Sequence, residues 1–101
     1  MYRHALQCSV IIGFRHKGLK RLFDKDDAAG IRPDLVVKVR TILVQLDEAA
    51  TIDDMRLTSF HLHALQGDRK GYWSVTVRAN WRIVFRFDGG KVDDVELIDY
   101  H

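Results

Sequence analysis

Residues 71–87, GYWSVTVRANWRIVFRF, constrain the fold more than any other part of the chain. Apolar and polar residues alternate on both sides of a short break. Alternation with a period of two, in β-branched and aromatic residues, is typical of half-buried strands. We therefore predict a β-hairpin with a three-residue loop, Arg78-Ala79-Asn80, in which Asn80 adopts the left-handed conformation.

This loop length fixes the register and places six apolar side chains on one buried face. The predicted cross-strand pairs are Val77 with Trp81, Val75 with Ile83, and Trp73 with Phe85. A two-residue loop would set Val77 against Arg82 and mix the two faces, which favours the three-residue loop. The opposite face carries polar and aromatic side chains that are suited to contacting a ligand, namely Tyr72, Ser74, Thr76, Arg82 and Arg86.

The N-terminal half predicts one strand and two helices. Cys8–Phe14 is the predicted strand, and Lys17–Asp24 is a short helix, with Gly30 at the end of this helix or of its continuation. A strongly amphipathic helix begins near Pro33 and runs to about Ala50.

The remaining segments predict an antiparallel sheet. Ser59–Leu65 is a short extended segment, Asp88-Gly89-Gly90 a second turn, and Lys91–Asp99 the last strand, with a bulge near Asp93–Asp94. The predicted fold is α+β: an N-terminal strand, two helices, then an antiparallel sheet of about three to four strands with the helices on one face.

Size and composition exclude several classes of protein. A chain of 101 residues forms one domain with a single core. Cys8 is the only cysteine, so no internal disulfide forms and a reducing compartment is expected. The apolar run Ser9–Phe14 is too short for a membrane span or a signal peptide. We expect a cytoplasmic protein without a membrane anchor.

Positive charge is concentrated near the N-terminus. Residues 1–25 contain six basic residues and one acidic residue, although the net charge of the chain is only +2. Lys17, Lys20 and Arg21 point away from the apolar face of the first predicted helix. This pattern favours an anionic partner, with nucleic acid first, while a solvated helix face is the alternative.

Several side chains that could take part in catalysis are predicted to lie together at one end of the sheet. The chain ends Asp99-Tyr100-His101 on a strand beside that of Arg82, and His63 precedes the hairpin. Imidazoles can take and give protons near neutral pH, and a guanidinium can hold a phosphate. An aspartate can orient an imidazole, and a tyrosine can stack on a base. This set would suit metal-free cleavage of RNA.

A zinc site is the alternative use of the same histidines. His61, His63, Asp99 and His101 are the available ligands. His-x-His without further paired ligands is a poor metal motif. We therefore predict neither a metal nor another cofactor.

Three segments carry a family resemblance: FRHKGLKRLF at 14–23, HALQGDRKGYWSVTVRANWRIVFRF at 63–87, and the terminal DYH. Together they resemble the HigB-type toxins of bacterial toxin–antitoxin modules, within the RelE-like superfamily of ribosome-dependent mRNA interferases. The resemblance implies a compact α+β toxin that cuts mRNA in the ribosomal A site. It also implies neutralisation by a helix-turn-helix antitoxin of the HigA type, through which alone the complex binds operator DNA.

The resemblance also implies roles for individual residues. The catalytic set falls on His63, Asp99, Tyr100 and His101, with Arg82 as a phosphate contact. Where the family commonly has proline and lysine after the histidine, this chain has Ala64 and Gln66. Residues 1–8 precede the usual start of the family and form an N-terminal extension.

Two other functions remain open from the sequence. ParE-type toxins have a similar architecture but inhibit DNA gyrase and lack the His and Asp-Tyr-His set, so the set favours the ribonuclease. The third functional hypothesis is an inactive relative that only binds an antitoxin.

Overall fold

A computed structural model describes residues 10–99 of the chain. Two helices, α1 (Lys17–Lys25) and α2 (Val36–Glu48), precede a four-stranded antiparallel sheet. Its strands, in the same order in the sheet as in the chain, are β1 (His63–Ala64), β2 (Tyr72–Arg78), β3 (Trp81–Asp88) and β4 (Lys91–Asp99). The predicted α+β class is confirmed. The predicted extension 1–8 and the terminal pair Tyr100-His101 lie outside the described residues.

The helix α1 is defined by its two caps. At its start the backbone N–H of Leu19 donates to Nδ1 of His16 at 3.1 Å. At its end Asp26 takes a left-handed φ of 55° and closes the last turn. The prediction that Gly30 ends the helix is therefore wrong. Gly30 instead packs against α1, where a Cβ would lie 2.8 Å from Cα of Gly18.

The second helix follows the prediction. A 3-10 turn, Pro33–Leu35, leads directly into α2. The predicted face of this segment packs into the core through residues at helical spacing, namely Leu35, Val39, Ile42, Leu43 and Leu46. No helix in the described part of the chain is long and apolar enough to cross a membrane.

The hairpin has the predicted buried face. Trp73 pairs with Phe85 and Val75 pairs with Ile83. Val75, Ile83 and Phe85 are fully buried against the helices. The helices thus cover one face of the sheet, and we call the opposite face, which carries the predicted polar residues, the open face.

The turn of the hairpin differs from the prediction. Arg78 pairs with Trp81, so the turn has two residues, and Ala79 rather than Asn80 is left-handed, with a φ of 51°. The register shifts between Thr76 and Arg78. The predicted pair of Val77 with Trp81 is therefore wrong. The bulge at Val77 absorbs the extra residue, so the other two predicted pairs, Val75–Ile83 and Trp73–Phe85, are kept despite the two-residue turn.

The predicted bulge in the last strand is confirmed. Val84 pairs with Glu96 and Arg86 pairs with Asp93, so β4 has one residue more than β3 between these pairs. Asp94 takes a left-handed φ of 54° at this position. The bulge bends β4 next to the N-terminal segment.

The predicted N-terminal strand is not supported over the described residues. Ile11 and Phe14 form isolated parallel bridges with Val92 and Val95 instead of a continuous ladder. The bulge of β4 lies between these two bridges and interrupts regular pairing. Cys8 and Ser9 lie outside the described residues.

The predicted extended segment Ser59–Leu65 forms a strand only at His63–Ala64. Thr58–Phe60 is a 3-10 turn in which Phe60 is buried. The phenyl ring of Phe60 belongs to the hydrophobic core, so this part of the predicted extended segment is a turn and not a strand.

Candidate active site on the open face

An open groove of about 550 Å³ lies on the open face, beside β1, β2 and β3. Its polar lining comes from His61, His63, Gln66, Ser74, Thr76 and Arg82. The described residues therefore supply the groove with two imidazoles, one guanidinium and several hydrogen-bonding groups. Such a lining can hold a phosphodiester and exchange protons with it.

His63 reaches the groove because it lies on the edge strand. It pairs with Ser74 of β2, and its side chain remains exposed. His61 precedes it in a left-handed conformation, with a φ of 48°. Both imidazoles are therefore accessible to a ligand that enters the groove.

Arg82 supplies the positive charge of the groove. Its Nη1 donates to the carbonyl oxygen of Ala79 at 2.6 Å and to that of Trp81 at 3.2 Å, which ties the guanidinium to the hairpin turn. Among residues 10–99, Arg82 has no carboxylate at ion-pair distance. Glu96, a candidate partner on β4, instead lies 3.7 Å from Nη1 of Arg69. The charge of Arg82 thus remains available for a phosphate.

Asp99 lies beside this site but not in the groove lining. It pairs with Trp81, whereas Arg82 pairs with Ile98. Paired residues of an antiparallel sheet share a face, and Trp81 packs against the core. The register therefore places Asp99 on the face opposite to that of Arg82. The structure brings His63 and Arg82 together, while Tyr100 and His101 lie outside the described residues.

The predicted RNA-binding residues of α1 are separate from the groove. The groove is beside β1–β3, whereas α1 contacts β4 and α2. Lys17, Lys20 and Arg21 are all exposed. Nζ of Lys20 lies 2.7 Å from Oδ2 of Asp24, so part of the predicted positive charge is neutralised.

The open face carries a second polar cluster, which the sequence did not predict. The hydroxyl of Tyr72 donates to Oδ2 of Asp94 at 2.6 Å, and Nε of Arg15 lies 3.6 Å from Oδ1 of Asp94. The hydrogen bond lowers the pKa of Asp94 and raises the pKa of Tyr72. The predicted bulge near Asp94 and the predicted face of Tyr72 were the only signals of this contact.

The two departures from the family pattern fall in or beside the groove. Ala64 and Gln66 both contribute to its lining. Gln66 brings a neutral amide to a wall where the family commonly has lysine, so this groove has one cation fewer.

The zinc alternative has no cluster to support it in the described part of the chain. Between residues 10 and 99, no three His, Cys, Asp or Glu side chains lie close enough together to hold a metal ion. Of the four candidate ligands, His101 lies outside these residues.

Comparison with known proteins identifies the class. Residues 12–101 match the family described as the RelE-like toxin of the type II toxin–antitoxin system HigB. The chain belongs to this family of toxins, and the resemblance predicted from the sequence is confirmed. A similar protein is "Endoribonuclease HigB" of Proteus vulgaris, which is 44% identical over 92 residues, covering 91% of this chain and 100% of the relative. Membership of a type II system implies an antitoxin as partner.

Proposed function

We propose that this toxin is a ribosome-dependent, metal-independent endoribonuclease that cleaves translated mRNA. The observation that carries the proposal is the groove, which both His63 and Arg82 line. Among the described residues, Arg82 has no carboxylate partner and is tied to backbone carbonyls. The 44% identity to a relative named an endoribonuclease supports the same reaction class.

The proposed reaction is internal transfer of a phosphodiester. A base removes the proton of the 2′-hydroxyl, whose oxygen attacks the adjacent phosphorus. The bond to the 5′-oxygen breaks, and an acid gives this oxygen a proton. The products are a 2′,3′-cyclic phosphate and a 5′-hydroxyl. His63 and His101 are the proposed proton carriers, and Arg82 holds the phosphate as charge develops on its oxygens.

The other residues of the terminal triplet have supporting roles in this proposal. The resemblance assigns Asp99 to orient an imidazole, although the register puts it on the face opposite to that of Arg82. Tyr100 stacks on a base. Gln66 and Thr76 line the same groove and can donate hydrogen bonds to the RNA. These roles rest on the family resemblance and on the chemistry of the side chains.

The open groove supports the proposed dependence on the ribosome. Its walls come from separate segments, and single-stranded RNA seldom adopts the in-line geometry that attack by a 2′-hydroxyl requires. Orientation of reacting groups is worth about 7–11 kcal/mol of barrier. We propose that the ribosomal A site supplies much of this orientation by holding the mRNA.

The exposed cations of α1 provide a second contact in this proposal. Lys17, Lys20 and Arg21 lie away from the groove and bind ribosomal RNA rather than the scissile mRNA. The antitoxin is a helix-turn-helix protein of the HigA type, and operator DNA is contacted only through it. The toxin acts in the cytoplasm, where the ribosomes are.

Single-turnover cleavage tests the proposal directly. We expect the purified toxin to cut an mRNA rapidly on programmed ribosomes and poorly when the same RNA is free. EDTA should not change cleavage of the free RNA, and ribosome-bound reactions should be compared at constant free magnesium. Equal rates on free and bound RNA would contradict ribosome dependence. Loss of free-RNA cleavage in EDTA would support the zinc alternative.

A cellular experiment separates the ribonuclease from a gyrase inhibitor. We expect induction of the toxin to deplete mRNA within minutes, as measured by RNA sequencing. Intact mRNA together with an SOS response would contradict the proposal and indicate a ParE-like activity.

A further inference from the structure

The loop that joins β1 to β2 has backbone hydrogen bonds but little apolar packing. β1 has only two residues, and the 3-10 turn Gly67–Arg69 contains no buried residue. Gly67 and Gly71 both have positive φ, a conformation that glycine adopts at little cost because it has no Cβ. Apolar packing therefore contributes little to the position of this loop.

One side chain of the loop crosses the open face to the far strand of the sheet. Nη1 of Arg69 lies 3.7 Å from Oε1 of Glu96 on β4, and its guanidinium lies 5.8 Å from the ring centroid of Tyr72. Among the described residues, no other side chain between 66 and 70 makes an ion pair, a hydrogen bond or a cation–π contact. Among residues 66–70, Arg69 thus supplies the side-chain link to the sheet, beside the backbone hydrogen bond from Leu65 to Tyr72.

The partners of Arg69 have fixed positions. Glu96 is partly buried on β4, where it pairs with Val84 in the centre of the sheet. Tyr72 is held by its 2.6 Å hydrogen bond to Asp94. The loop is therefore attached through Arg69 to two side chains that the strands of the sheet position.

We propose that Arg69 is a positioning residue, which holds the β1–β2 loop across the open face and thereby fixes the groove wall formed by His63 and Gln66. Gln66 lies immediately before the turn that carries Arg69, and its backbone carbonyl accepts from the N–H of Arg69 at 3.3 Å. Arg69 does not itself line the groove. Its effect on cleavage rests on the proposed function, whereas its effect on the loop does not.

Hydrogen exchange tests the effect on the loop without any reference to activity. The reporters are the amides of Leu65, which donates to Tyr72, and of Lys70, which donates to Gly67. We expect both to exchange about two- to fivefold faster in Arg69→Ala and Glu96→Gln than in the wild type, the scale of a partly exposed ion pair. Unchanged exchange in Arg69→Ala would overturn the proposal.

A matched control comes from an ion pair of the same type elsewhere on the surface. Nε of Arg56 lies 2.6 Å from Oδ1 of Asp53, outside the groove. Arg56→Ala should leave the exchange of the loop amides and the cleavage rate unchanged. A control variant that alters both as much as Arg69→Ala would show that loss of any surface arginine suffices, which would also overturn the proposal.

Single-turnover cleavage on ribosomes tests the consequence for the reaction. We expect Arg69→Ala to lower the rate by about 10- to 100-fold, the scale of a displacement of about 1 Å. The pH profile should not change, and Arg69→Lys should retain most of the rate because it keeps the charge opposite Glu96. A loss of fold alone would lower the reaction amplitude rather than the rate constant of the folded fraction.

The double variant distinguishes positioning from direct contact with RNA. If Arg69 acts through Glu96, Arg69→Ala/Glu96→Gln should be no slower than Arg69→Ala alone. Additive losses, or a wild-type rate in Arg69→Ala, would overturn the inference. Failure of the wild-type toxin to cut mRNA on ribosomes would instead contradict the proposed function, and the exchange measurements would still decide whether Arg69 holds the loop.

Discussion

The two faces of the sheet are formed by the same strands but differ in role: one packs against the helices, and the other carries the groove. On the covered face, Val75, Ile83 and Phe85 are each 0% exposed and pack against the helices. On the open face, Thr76 and Arg82 alternate with them and line the groove. Neighbouring residues of a strand point to opposite faces. A residue that stabilises the core is therefore followed in the chain by a residue that lies on the face of the groove. Variants on the two faces should therefore have different effects.

The largest effect is expected on the open face, from the loss of one imidazole. His63→Ala should lower single-turnover cleavage by about 10²–10⁴-fold, as should removal of His101, because each variant deletes a proposed proton carrier. For the exposed His63, the free energy of unfolding should change by about 0.5 kcal/mol or less. Cleavage and urea unfolding are measured on the same preparation. Growth arrest by either variant at wild-type expression would contradict the assignment.

The covered face should give the reverse result. Phe85→Ala removes a fully buried ring and should lower the free energy of unfolding by about 3–5 kcal/mol. Any folded molecules that remain should cut at close to the wild-type rate, because Phe85 does not line the groove. Urea unfolding gives the stability, and the reaction amplitude gives the active fraction. A stability within 1 kcal/mol of the wild type would show that the covered face is not the main source of stability.

A smaller loss is expected where α1 packs against the chain that follows it. A Cβ on Gly18 would lie 2.6 Å from the carbonyl oxygen of Gly30, so Gly18→Ala forces the backbone apart. We expect it to cost about 1–3 kcal/mol, the scale of overpacking, although alanine favours helices more than glycine does. Lys25→Ala in the same helix is the control. A stabilised Gly18→Ala variant would refute this account of the close approach.

The smallest effect concerns pH and the cap of α1. Burial lowers the pKa of His16, and the nearby carboxylate of Glu96 opposes this shift. Folding therefore favours the neutral imidazole, which accepts the N–H of Leu19. This contribution is complete above the unfolded value of 6.5 and is lost as the pH falls through the lower folded pKa.

The variant His16→Asn keeps a capping side chain that does not titrate. Between pH 8 and pH 5, the wild type should lose more stability than this variant, by no more than about 1 kcal/mol, the value of a helix cap. Thermal unfolding across this pH range is the measurement. Parallel stability curves for the two proteins would exclude a role for His16 in the pH dependence.

Periodicity in the sequence was sufficient to predict the elements that bury one face. The alternation in 71–87 predicted the pairs Trp73–Phe85 and Val75–Ile83, and the spacing after Pro33 predicted the buried face of α2. Val92 and Val95 were out of step, which predicted the bulge of β4. In each case the signal is local, because the side chains that define it lie within a few residues of one another.

Of the candidate site, the sequence predicted the residue types and the open face, but not their arrangement. It named His63 and Arg82, which share the groove, and Asp99, which the register places on the other face. Nothing in the local sequence showed that Arg82 would be tied to the hairpin turn. The orientation of Asp99 depends on pairing between two strands, which alternation within one strand does not determine.

Contacts between distant segments were decided only by the tertiary structure. The close approach of Gly18 and Gly30, and the link from Arg69 to Glu96, join residues with no shared periodic pattern. The two-residue turn at Ala79 likewise depended on a bulge that adjusts strand length to the sheet. The sequence determined which faces are apolar, because burial of apolar surface follows from local composition. Only packing of the whole chain determined which polar groups meet across the open face, because their partners come from strands that are far apart in sequence.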